Sequence, residues 1–327
     1  MPPRAYAPAP DGRASSEGPV KLVALAGGTG AAKLLRGLVT LVEPRDLSVI
    51  VNTGDDARIW GLHVAPDLDT ITYTFAGLID PAKGWGVRDE TFHALDHMAR
   101  FGEPTWFNLG DRDLATHLHR TRLLGEGRSL TEATRSITAS LGVVPDLLPM
   151  SNEPVRTRLL GPDGWLDFQE YFVRDKAQVE VREVRYVGAE DAKPAPGVLE
   201  AIRSAHGVII CPSNPITSIA PILAVPGLQP ALSETGATAI AISPIVGSDA
   251  VSGPAGRLMA ISGLPVSATG DASAYASWLD VLVFDERDKS QEGEIRRLGV
   301  SPVTAQTIMA SRADEVALAR RVLDILS

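Results

Sequence analysis

Five short apolar runs, each ending at small or polar residues, constrain the fold more than any other feature of this 327-residue chain. They occupy residues 21–26, 47–51, 207–211, 237–242 and 278–284. Runs of this kind are typical of strands buried on both faces of a sheet, and the helical patterns between them favour parallel pairing. The sequence therefore predicts an α/β fold with a doubly wound, mostly parallel sheet, in which ligands bind beyond the carboxyl ends of the strands.

The remaining patterns divide the chain into a leader, one domain and an insertion. Residues 1–19 are rich in Pro, Ala, Gly and Ser without periodicity, which predicts a disordered leader before a single domain over residues 20–327. Between residues 71 and 150 we find helical patterns and loops but no convincing strand, so we expect a helical insertion over the strand carboxyl ends. Residues 156–160 and 165–172 flank a Pro-Asp-Gly turn and predict a β-hairpin.

Charge and cysteine content argue against several classes of protein. A net charge of -9 and a pI near 5.2 are unsuited to a nucleic-acid surface. The single cysteine, Cys211, excludes an internal disulfide and ends an apolar run, which predicts a small buried hydrophobe. No apolar stretch reaches the ~20 residues that span a bilayer, and the first residues lack the apolar core of a signal peptide. We expect a cytoplasmic protein without nucleic-acid or membrane partners and, on base rates alone, a homodimer.

Four carboxylates fall within fifteen residues directly after the second apolar run. They belong to the segments NTGDD (residues 52–56) and PDLDT (residues 66–70) and are Asp55, Asp56, Asp67 and Asp69. Closely spaced carboxylates repel each other unless a cation or a shared proton relieves them. A hard cation such as Mg²⁺ takes oxygen ligands and bridges to phosphorylated substrates, so the group predicts a metal or hydroxyl site. For any single acid, an Asx turn or a helix cap is the simpler interpretation.

Three loops that are rich in hydrogen-bond donors each follow a predicted strand. The first, GGTG at residues 27–30, opens a helix and suits an anion, but it is neither a Walker A loop nor a complete dinucleotide fingerprint. Taken alone, it is equally well explained as a tight strand-to-helix turn. Residues 212–218 and the pair 243–247 and 252–256 repeat the pattern with prolines, serines and glycines. Because a doubly wound sheet gathers such loops at one edge, together they predict a nucleotide site.

The segment LGDRDLATH at residues 109–117 adds a further candidate site. Asp111 begins the helix, and Arg112 could clamp a phosphate or carboxylate bidentately. Asp113 and His117 stand four residues apart on one helix face. A solvated pair that supports the helix surface is the alternative interpretation.

Together these motifs resemble one family, the CofD family of 2-phospho-L-lactate transferases, which make the deazaflavin coenzyme F-420. The segments that carry the resemblance lie in order between residues 21 and 288 and include AGGTGAAKLLRGL, VNTGDD, PDLDT, IDPAKGWG, LGDRDLATH, LPMSNEPV, PSNPITSI and LDVLVFDERD. The combination of LGDRDLATH, PDLDT and PSNPITSI is far more specific than a lone glycine motif. The likeness covers nearly the whole predicted domain.

The resemblance implies a Rossmann-like core and a Mg²⁺-dependent transferase with small-molecule substrates. A GMP-linked phospholactyl or phosphoenolpyruvyl group would pass to the terminal ribityl hydroxyl of the deazaflavin Fo, with release of GMP. Asp56 and Asp69 are the predicted metal ligands and catalytic residues, and the predicted contacts to Fo are Asp69, Asn108, Asp111 and Arg112. The predicted contacts to the nucleotide are Gly27, Gly28, Thr29, Gly30, Lys33, Ser213, Asn214, Pro215, Ser218, Ser252 and Gly253.

Two other functions stay open at this level. The gluconeogenesis-factor branch of the superfamily looks like a nucleotide-sugar-binding regulator and shares the glycine-rich first turn, but LGDRDLATH and PDLDT speak against it. A nicotinamide-dependent oxidoreductase fits only the general α/β pattern. Its ribose-binding acid, expected roughly twenty residues after the glycines, would have to be Asp46 or Asp55, and neither is well placed. Within the transferase reading, phospholactate and phosphoenolpyruvate both stay open as the transferred acid.

Overall fold

The computed structural model describes residues 20–327, and the leader predicted for residues 1–19 lies outside them. The strands are β1 (Leu22–Ala26), β2 (Leu47–Val51), β3 (Ala57–Ile59), β4 (Leu62–Val64), β5 (Asp146–Pro149), β6 (Arg156–Gly161), β7 (Gly164–Asp167), β8 (Glu183–Val187), β9 (Gly207–Ile210), β10 (Thr238–Ile242), β11 (Ile245–Val246), β12 (Asp249–Ala250), β13 (Val281–Asp285) and β14 (Ser301–Ala305). The helices are α1 (Gly28–Leu38), α2 (Pro66–Phe75), α3 (His93–Arg100), α4 (Asp111–Gly125), α5 (Leu130–Ser140), α6 (Val198–Ser204), α7 (Ala220–Ala224), α8 (Leu228–Glu234), α9 (Ala255–Ile261), α10 (Ala268–Tyr275), α11 (Glu292–Arg297) and α12 (Arg312–Leu326). Short 3₁₀ or π turns cover Pro44–Asp46, Glu170–Arg174, Ala189–Asp191, Pro215–Ile219 and Glu286–Gln291.

Seven strands form a wholly parallel central sheet in the order β14-β13-β10-β9-β1-β2-β5. The five predicted strands are all present, as β1, β2, β9, β10 and β13. Each keeps its predicted place in the chain to within a few residues. The prediction of a doubly wound α/β fold with a mostly parallel sheet is confirmed.

The two outermost strands were not predicted, and the expectation of no strand between residues 71 and 150 is wrong. β5 ends at Pro149, and β14 contains Pro302 and is half-exposed along most of its length. Both strands therefore lack the uninterrupted apolar run by which the central strands are recognised. Proline is tolerated at a sheet edge because the outer side of an edge strand needs no backbone donor.

Helices cover both faces of the sheet, and alternate residues of each central strand point to opposite core layers. In β1, Val23 and Leu25 belong to one layer, whereas Leu22, Ala24 and Ala26 belong to the other. The first layer includes residues of α6, α7, α8, α10 and α11, and the second includes residues of α1, α2, α5 and α12. Because α2 and α5 pack into a core layer, the helical cap is smaller than the predicted insertion at 71–150.

The predicted hairpin exists but is part of a larger unit. β6 and β7 pair antiparallel around the Pro-Asp-Gly turn, and β8 adds a third strand on the other side of β6. The second limb ends at Asp167 and not at residue 172, since the chain turns helical at Phe168. This early end brings Phe168 and Phe172 to the rim of the sheet's carboxyl edge.

No single helix among residues 20–327 is long and apolar enough to span a membrane. Within the same residues, one pair of helices, Pro215–Ala224 and Leu228–Glu234, reaches the necessary length and composition together but is bent by 88°. Ile219, Ile222 and Leu228 of this pair are fully buried in the first core layer.

Candidate active site

A cleft of about 440 Å³ opens at the carboxyl edge of the sheet, where β1 lies between β2 and β9. The chain passes from β1 to β2 on one side and returns through β9 on the other, so the strand order reverses here. At such a switch point the loops after neighbouring strands diverge and leave a crevice for a ligand. The loops after β1, β2, β9 and β10 all contribute to the lining.

The glycine turn predicted to bind phosphate lines this cleft. α1 begins at Gly28, which has a φ of +73°, and the preceding Gly27 has no side chain with which to cap the first turn. A Cβ on Gly27 would come within 2.7 Å of both Asp67 Oδ2 and Ser218 Cβ, so only glycine fits without a shift of its neighbours. Gly28, Thr29 and Gly30 at the amino end of α1 line the cleft, where the helix dipole suits an anion although the Gly28 N–H already donates to Asp67.

The loop after β9 packs directly against the glycine turn and lines the cleft with Ser213, Asn214, Thr217 and Ser218. The Ser213 hydroxyl accepts a hydrogen bond from the Gly27 N–H at 3.4 Å. Asn214 Oδ1 accepts from the Ile216 N–H at 3.0 Å and so caps the helical turn that follows. Pro215 starts that turn but does not line the cleft. The serine and threonine hydroxyls supply short, rigid donors beside the amino end of α1.

Three of the four clustered acids, Asp55, Asp67 and Asp69, line the cleft, and Asp67 contacts the glycine turn. Asp67 Oδ1 accepts from the Gly28 N–H at 2.7 Å, and Oδ2 accepts from Asn52 Nδ2 at 2.9 Å. Burial raises the pKa of Asp67 to about 6 against these hydrogen bonds. Burial also raises the pKa of Asp55 well above its usual range, and the nearby carboxylates of Asp67 and Asp56 raise it further. This part of the cleft thus concentrates negative charge that the described side chains do not neutralise.

Asp56, predicted as a metal ligand, lines a different cavity. Its Oδ2 lies 2.8 Å from His63 Nε2, and both residues line a smaller cavity of about 200 Å³ instead of the main cleft. Burial raises the pKa of Asp56, and the interaction with His63 opposes that rise. Asp55 lies in the turn after β2 and Asp56 directly precedes β3, and the two side chains line different cavities.

Asp69, the other predicted ligand, lines the main cleft from α2 but is paired within the protein. Its two carboxylate oxygens are held by the guanidinium of Arg120 on α4, with Oδ2 3.0 Å from Nη1. Arg120 is 1% exposed and is the largest fully buried side chain. The paired geometry fixes the rotamer of Asp69 and balances its charge.

His117 lies between two acids in the wall of the cleft and is 1% exposed. Its Nδ1 lies 3.6 Å from Asp69 Oδ2, and its Nε2 lies 3.2 Å from Asp113 Oδ1. The hydroxyl of Tyr73 donates to the same Asp113 oxygen at 2.7 Å. Burial alone would raise the pKa of Asp113, but the hydrogen bond and charge of His117 lower it overall. The helix-surface alternative for Asp113 and His117 is therefore wrong, since both side chains line the cleft.

Three predicted contacts point away from the cleft. Lys33 Nζ donates to the carbonyl of Met309 at 3.1 Å, on the side of α1 that faces the C-terminal segment. Asp111 caps the amino end of α3, where its Oδ1 accepts from the Ala94 N–H at 2.9 Å, and Arg112 is exposed with Nη1 on the Arg88 carbonyl. Helical geometry explains the positions of Asp111 and Arg112, because residues one or two positions from Asp113 lie on other faces of α4.

Five aromatic side chains and Asn108 also line the cleft. The aromatic lining residues are Tyr73, Trp85, Phe107, Phe168 and Phe172. The rings of Phe168 and Phe172 stack with centroids 5.4 Å apart and planes 11° from parallel, and Trp85 is 41% exposed. Ser252 and Gly253 lie on the same rim. Flat exposed rings of this kind offer stacking surfaces to a planar ligand.

Two sets of cleft side chains could hold a metal ion. Asp55 and Asp67 form an all-oxygen set, in which Asp55 Oδ1 has no hydrogen-bond partner among the described residues. Asp69, Asp113 and His117 offer ligand atoms within 4.8 Å of one another. Mg²⁺ prefers oxygen over imidazole nitrogen, and Arg120 already balances Asp69, so the first set fits Mg²⁺ better.

Several cleft residues were missed from sequence although their segments were noticed. Asp55 and Asp67 lie in the acidic segments, but Asp56 and Asp69 were chosen from them. Phe168 was assigned to a strand, and Lys83 lies in IDPAKGWG without an assigned role.

Comparison with known proteins agrees with this architecture. The profile of the family described as "2-phospho-L-lactate transferase CofD" matches residues 22–319. The chain belongs to the CofD family. It is 39% identical over 302 residues to the 2-phospho-L-lactate transferase of Methanosarcina mazei, covering 92% of this chain and 99% of the relative. It is 42% identical over 312 residues to the phosphoenolpyruvate transferase of Streptomyces griseus, covering 94% and 98%.

A solved structure shares the fold at much lower identity. The crystal structure of a UPF0052 family member from Bacillus halodurans matches with a TM-score of 0.66 and 19% identity, covering 94% of this chain and all of that one. At this identity the match supports the fold of the CofD family member and not its activity.

Proposed function

We propose that this CofD family member transfers a phospholactyl or phosphoenolpyruvyl group from a GMP-linked donor to the terminal ribityl hydroxyl of the deazaflavin Fo, in the biosynthesis of coenzyme F-420. The observation that carries the proposal is the identity of about 40% to transferases of both acids over more than 90% of each chain. The cleft supports it, because its glycine turn and serine-rich loop suit a diphosphate and its aromatic side chains suit a flat ring.

The donor would occupy the end of the cleft at the switch point. The amino end of α1 and the hydroxyls of Ser213, Thr217 and Ser218 would bind the diphosphate. Gly27 is required there because any side chain would collide with Asp67 and Ser218. The rim at Ser252 and Gly253 is left for the nucleoside.

The acceptor would lie with its ring against one of the aromatic side chains that line the cleft, Trp85, Phe107 or Phe172. Its ribityl chain would then run toward Asn108 and Asp69, both of which line the cleft. Asp69 is held by Arg120, so its position is set before the substrate arrives. We keep Asp69 as the candidate that accepts or orients the hydroxyl proton.

The reaction forms one bond and breaks one. The acceptor oxygen attacks the phosphorus that carries the three-carbon acid, the bond between that phosphorus and the GMP oxygen breaks, and the hydroxyl proton is released. Asp55 and Asp67 are the residues we propose to hold Mg²⁺, in place of Asp56 and Asp69. When bound there, Mg²⁺ would neutralise charge on the diphosphate and stabilise the leaving GMP.

The proposal is tested by mass spectrometry of a reaction with the purified protein, Mg²⁺, Fo and either GMP-linked acid. We expect GMP release and a phosphoacyl Fo product whose mass identifies the preferred acid, and loss of both when EDTA replaces Mg²⁺. Asp69→Asn should abolish transfer, whereas the matched control Asp163→Asn, in an exposed turn, should behave as the wild type. Tight nucleotide binding without product from either donor would refute the transferase and favour a nucleotide-binding regulator.

A further inference from the structure

Lys83 places a positive charge in a cleft whose charged lining residues are otherwise mainly acidic. Apart from His117, it is the only basic residue among those of the described chain that line the cleft. Asp55, Asp67 and Asp113 line the same space, and Arg120 lies behind Asp69 without reaching the lining. A negatively charged ligand that enters the cleft therefore meets one flexible cationic side chain.

The loop that carries Lys83 is built against the glycine turn. Asp80 Oδ1 accepts from the N–H groups of Ala82 at 2.9 Å and Lys83 at 3.3 Å, which closes a tight turn. Gly84 follows with a φ of +74°, and a Cβ placed there would lie 3.7 Å from Thr29 Cβ. The loop thus places Lys83 between the amino end of α1 and the aromatic wall.

The ammonium group of Lys83 is held only loosely in the free protein. Its Nζ lies 3.6 Å from Asp80 Oδ2, and the side chain is 42% exposed. It also lies 5.3 Å from the ring centroid of Trp85 and 5.4 Å from that of Phe92. Exposed ion pairs of this length contribute little, so a ligand anion can take the ammonium group from Asp80 at small cost.

We propose that Lys83 binds the carboxylate of the three-carbon acid in the donor; this rests on the proposed function. The diphosphate already has the α1 amides, the hydroxyls of the Ser213 loop and the acidic set that fits Mg²⁺. The guanine and deazaflavin rings are met by the aromatic wall and the Ser252 rim. The carboxylate is the remaining charged group of the donor. Lys83 supplies the opposite charge in the lining of the cleft.

The test is titration calorimetry without acceptor, so that binding is measured in the absence of turnover. Three ligands are compared in the presence of Mg²⁺: GMP-linked phospholactate, the same molecule with a carboxamide in place of its carboxylate, and GDP. The variants are Lys83→Met, Lys83→Arg and, as a matched control, Lys21→Met, which alters an exposed lysine before β1 at the opposite end of the sheet.

We expect Lys83→Met to weaken binding of the carboxylate ligand about tenfold, the size of one half-exposed charge-assisted hydrogen bond. Binding of the carboxamide and of GDP should be unchanged, Lys83→Arg should keep most of the affinity, and Lys21→Met should match the wild type. Equal weakening of GDP would assign Lys83 to the phosphates, and an unchanged carboxylate affinity would remove it from recognition; either result overturns the inference. A wild type that binds the donor but never transfers the acid refutes the proposed function and leaves this comparison valid.

Discussion

Replacing Arg120 with methionine removes the partner of a buried carboxylate, and the structure gives the size of the effect. Arg120 and Asp69 are both almost inaccessible to solvent, and the guanidinium holds both oxygens of the carboxylate. Methionine fills much of the same volume but offers no charge. In Arg120→Met the Asp69 carboxylate would stay buried without its counter-ion, or take up a proton in order to stay folded.

We expect Arg120→Met to lower the free energy of unfolding by about 3 kcal/mol, the lower part of the range for breaking a buried ion pair. The double variant Asp69→Asn with Arg120→Met should recover most of this loss, because replacing both partners removes the uncompensated charge. The double-mutant cycle should therefore give a coupling free energy of about 2 kcal/mol. The control Arg122→Met, which breaks an exposed pair with Glu126 on the same helix, should cost less than about 0.5 kcal/mol.

The measurement is equilibrium unfolding in urea at pH 7, followed by fluorescence, with the slope compared between variants. A loss below about 1 kcal/mol in Arg120→Met would show that the pair contributes little to folding. A double variant that is less stable than Arg120→Met alone would show that the arginine matters for its packing and not for its charge. Either result would contradict the view that Arg120 fixes Asp69 in the cleft.

Three further outcomes follow from other parts of the structure. Gly27→Ala should lose about tenfold or more in GDP affinity by calorimetry, because its Cβ would collide with Asp67 and Ser218, whereas Gly236→Ala, with open space around its Cβ position, should bind GDP normally. Burial raises the pKa of Asp271 to about 7, so its contribution to stability is present below about pH 4, the ordinary Asp value, and is lost as the pH rises through 7. Relative to Asp271→Asn, the wild type should lose about 4 kcal/mol of unfolding free energy between pH 4 and pH 8. If the free energy of unfolding of the two proteins varies with pH in the same way, the raised pKa of Asp271 is refuted. Trp85→Ala should raise the KM for Fo about tenfold and leave GDP affinity unchanged; a KM for Fo equal to that of the wild type would exclude stacking on this ring.

The central fold could be predicted from sequence because its signals are local. A strand buried on both faces is mostly apolar, and β1, β2, β9, β10 and β13 meet that condition, with one polar residue each in β2 (Ser48), β10 (Thr238) and β13 (Asp285). The edge strands β5 and β14 have only one neighbouring strand, so their sequences tolerate prolines and polar residues. They therefore lack the apolar run that identifies a central strand. The strand order itself depends on pairing between distant segments, which no local pattern records.

The candidate site was predicted only as far as its loops. The glycine turn, the acidic segments and the loop after β9 each follow a strand, and the topology gathers them as expected. Of the two acids chosen as metal ligands, Asp69 lines the cleft and Asp56 lines the smaller cavity, and no local pattern distinguishes Asp56 from its neighbour Asp55. The Arg120–Asp69 pair joins residues 51 positions apart on two helices, and no local sequence pattern predicts that they are paired.

Two of the four acids in the two acidic segments have an arginine or histidine partner, and the other two have none among the described residues. Arg120 balances Asp69, and His63 pairs with Asp56 in the smaller cavity. Asp55 and Asp67 are buried at the cleft with raised pKa values and no cationic side chain bonded to them among the described residues. A carboxylate that already has its counter-ion is suited to positioning a neutral hydroxyl, whereas carboxylates without one are suited to a ligand that arrives with a cation. If the proposed function holds, the acceptor hydroxyl would lie at Asp69 and the metal-bearing diphosphate at Asp55 and Asp67. We therefore expect Asp67→Asn to weaken Mg²⁺-dependent GDP binding and Asp69→Asn to leave it intact.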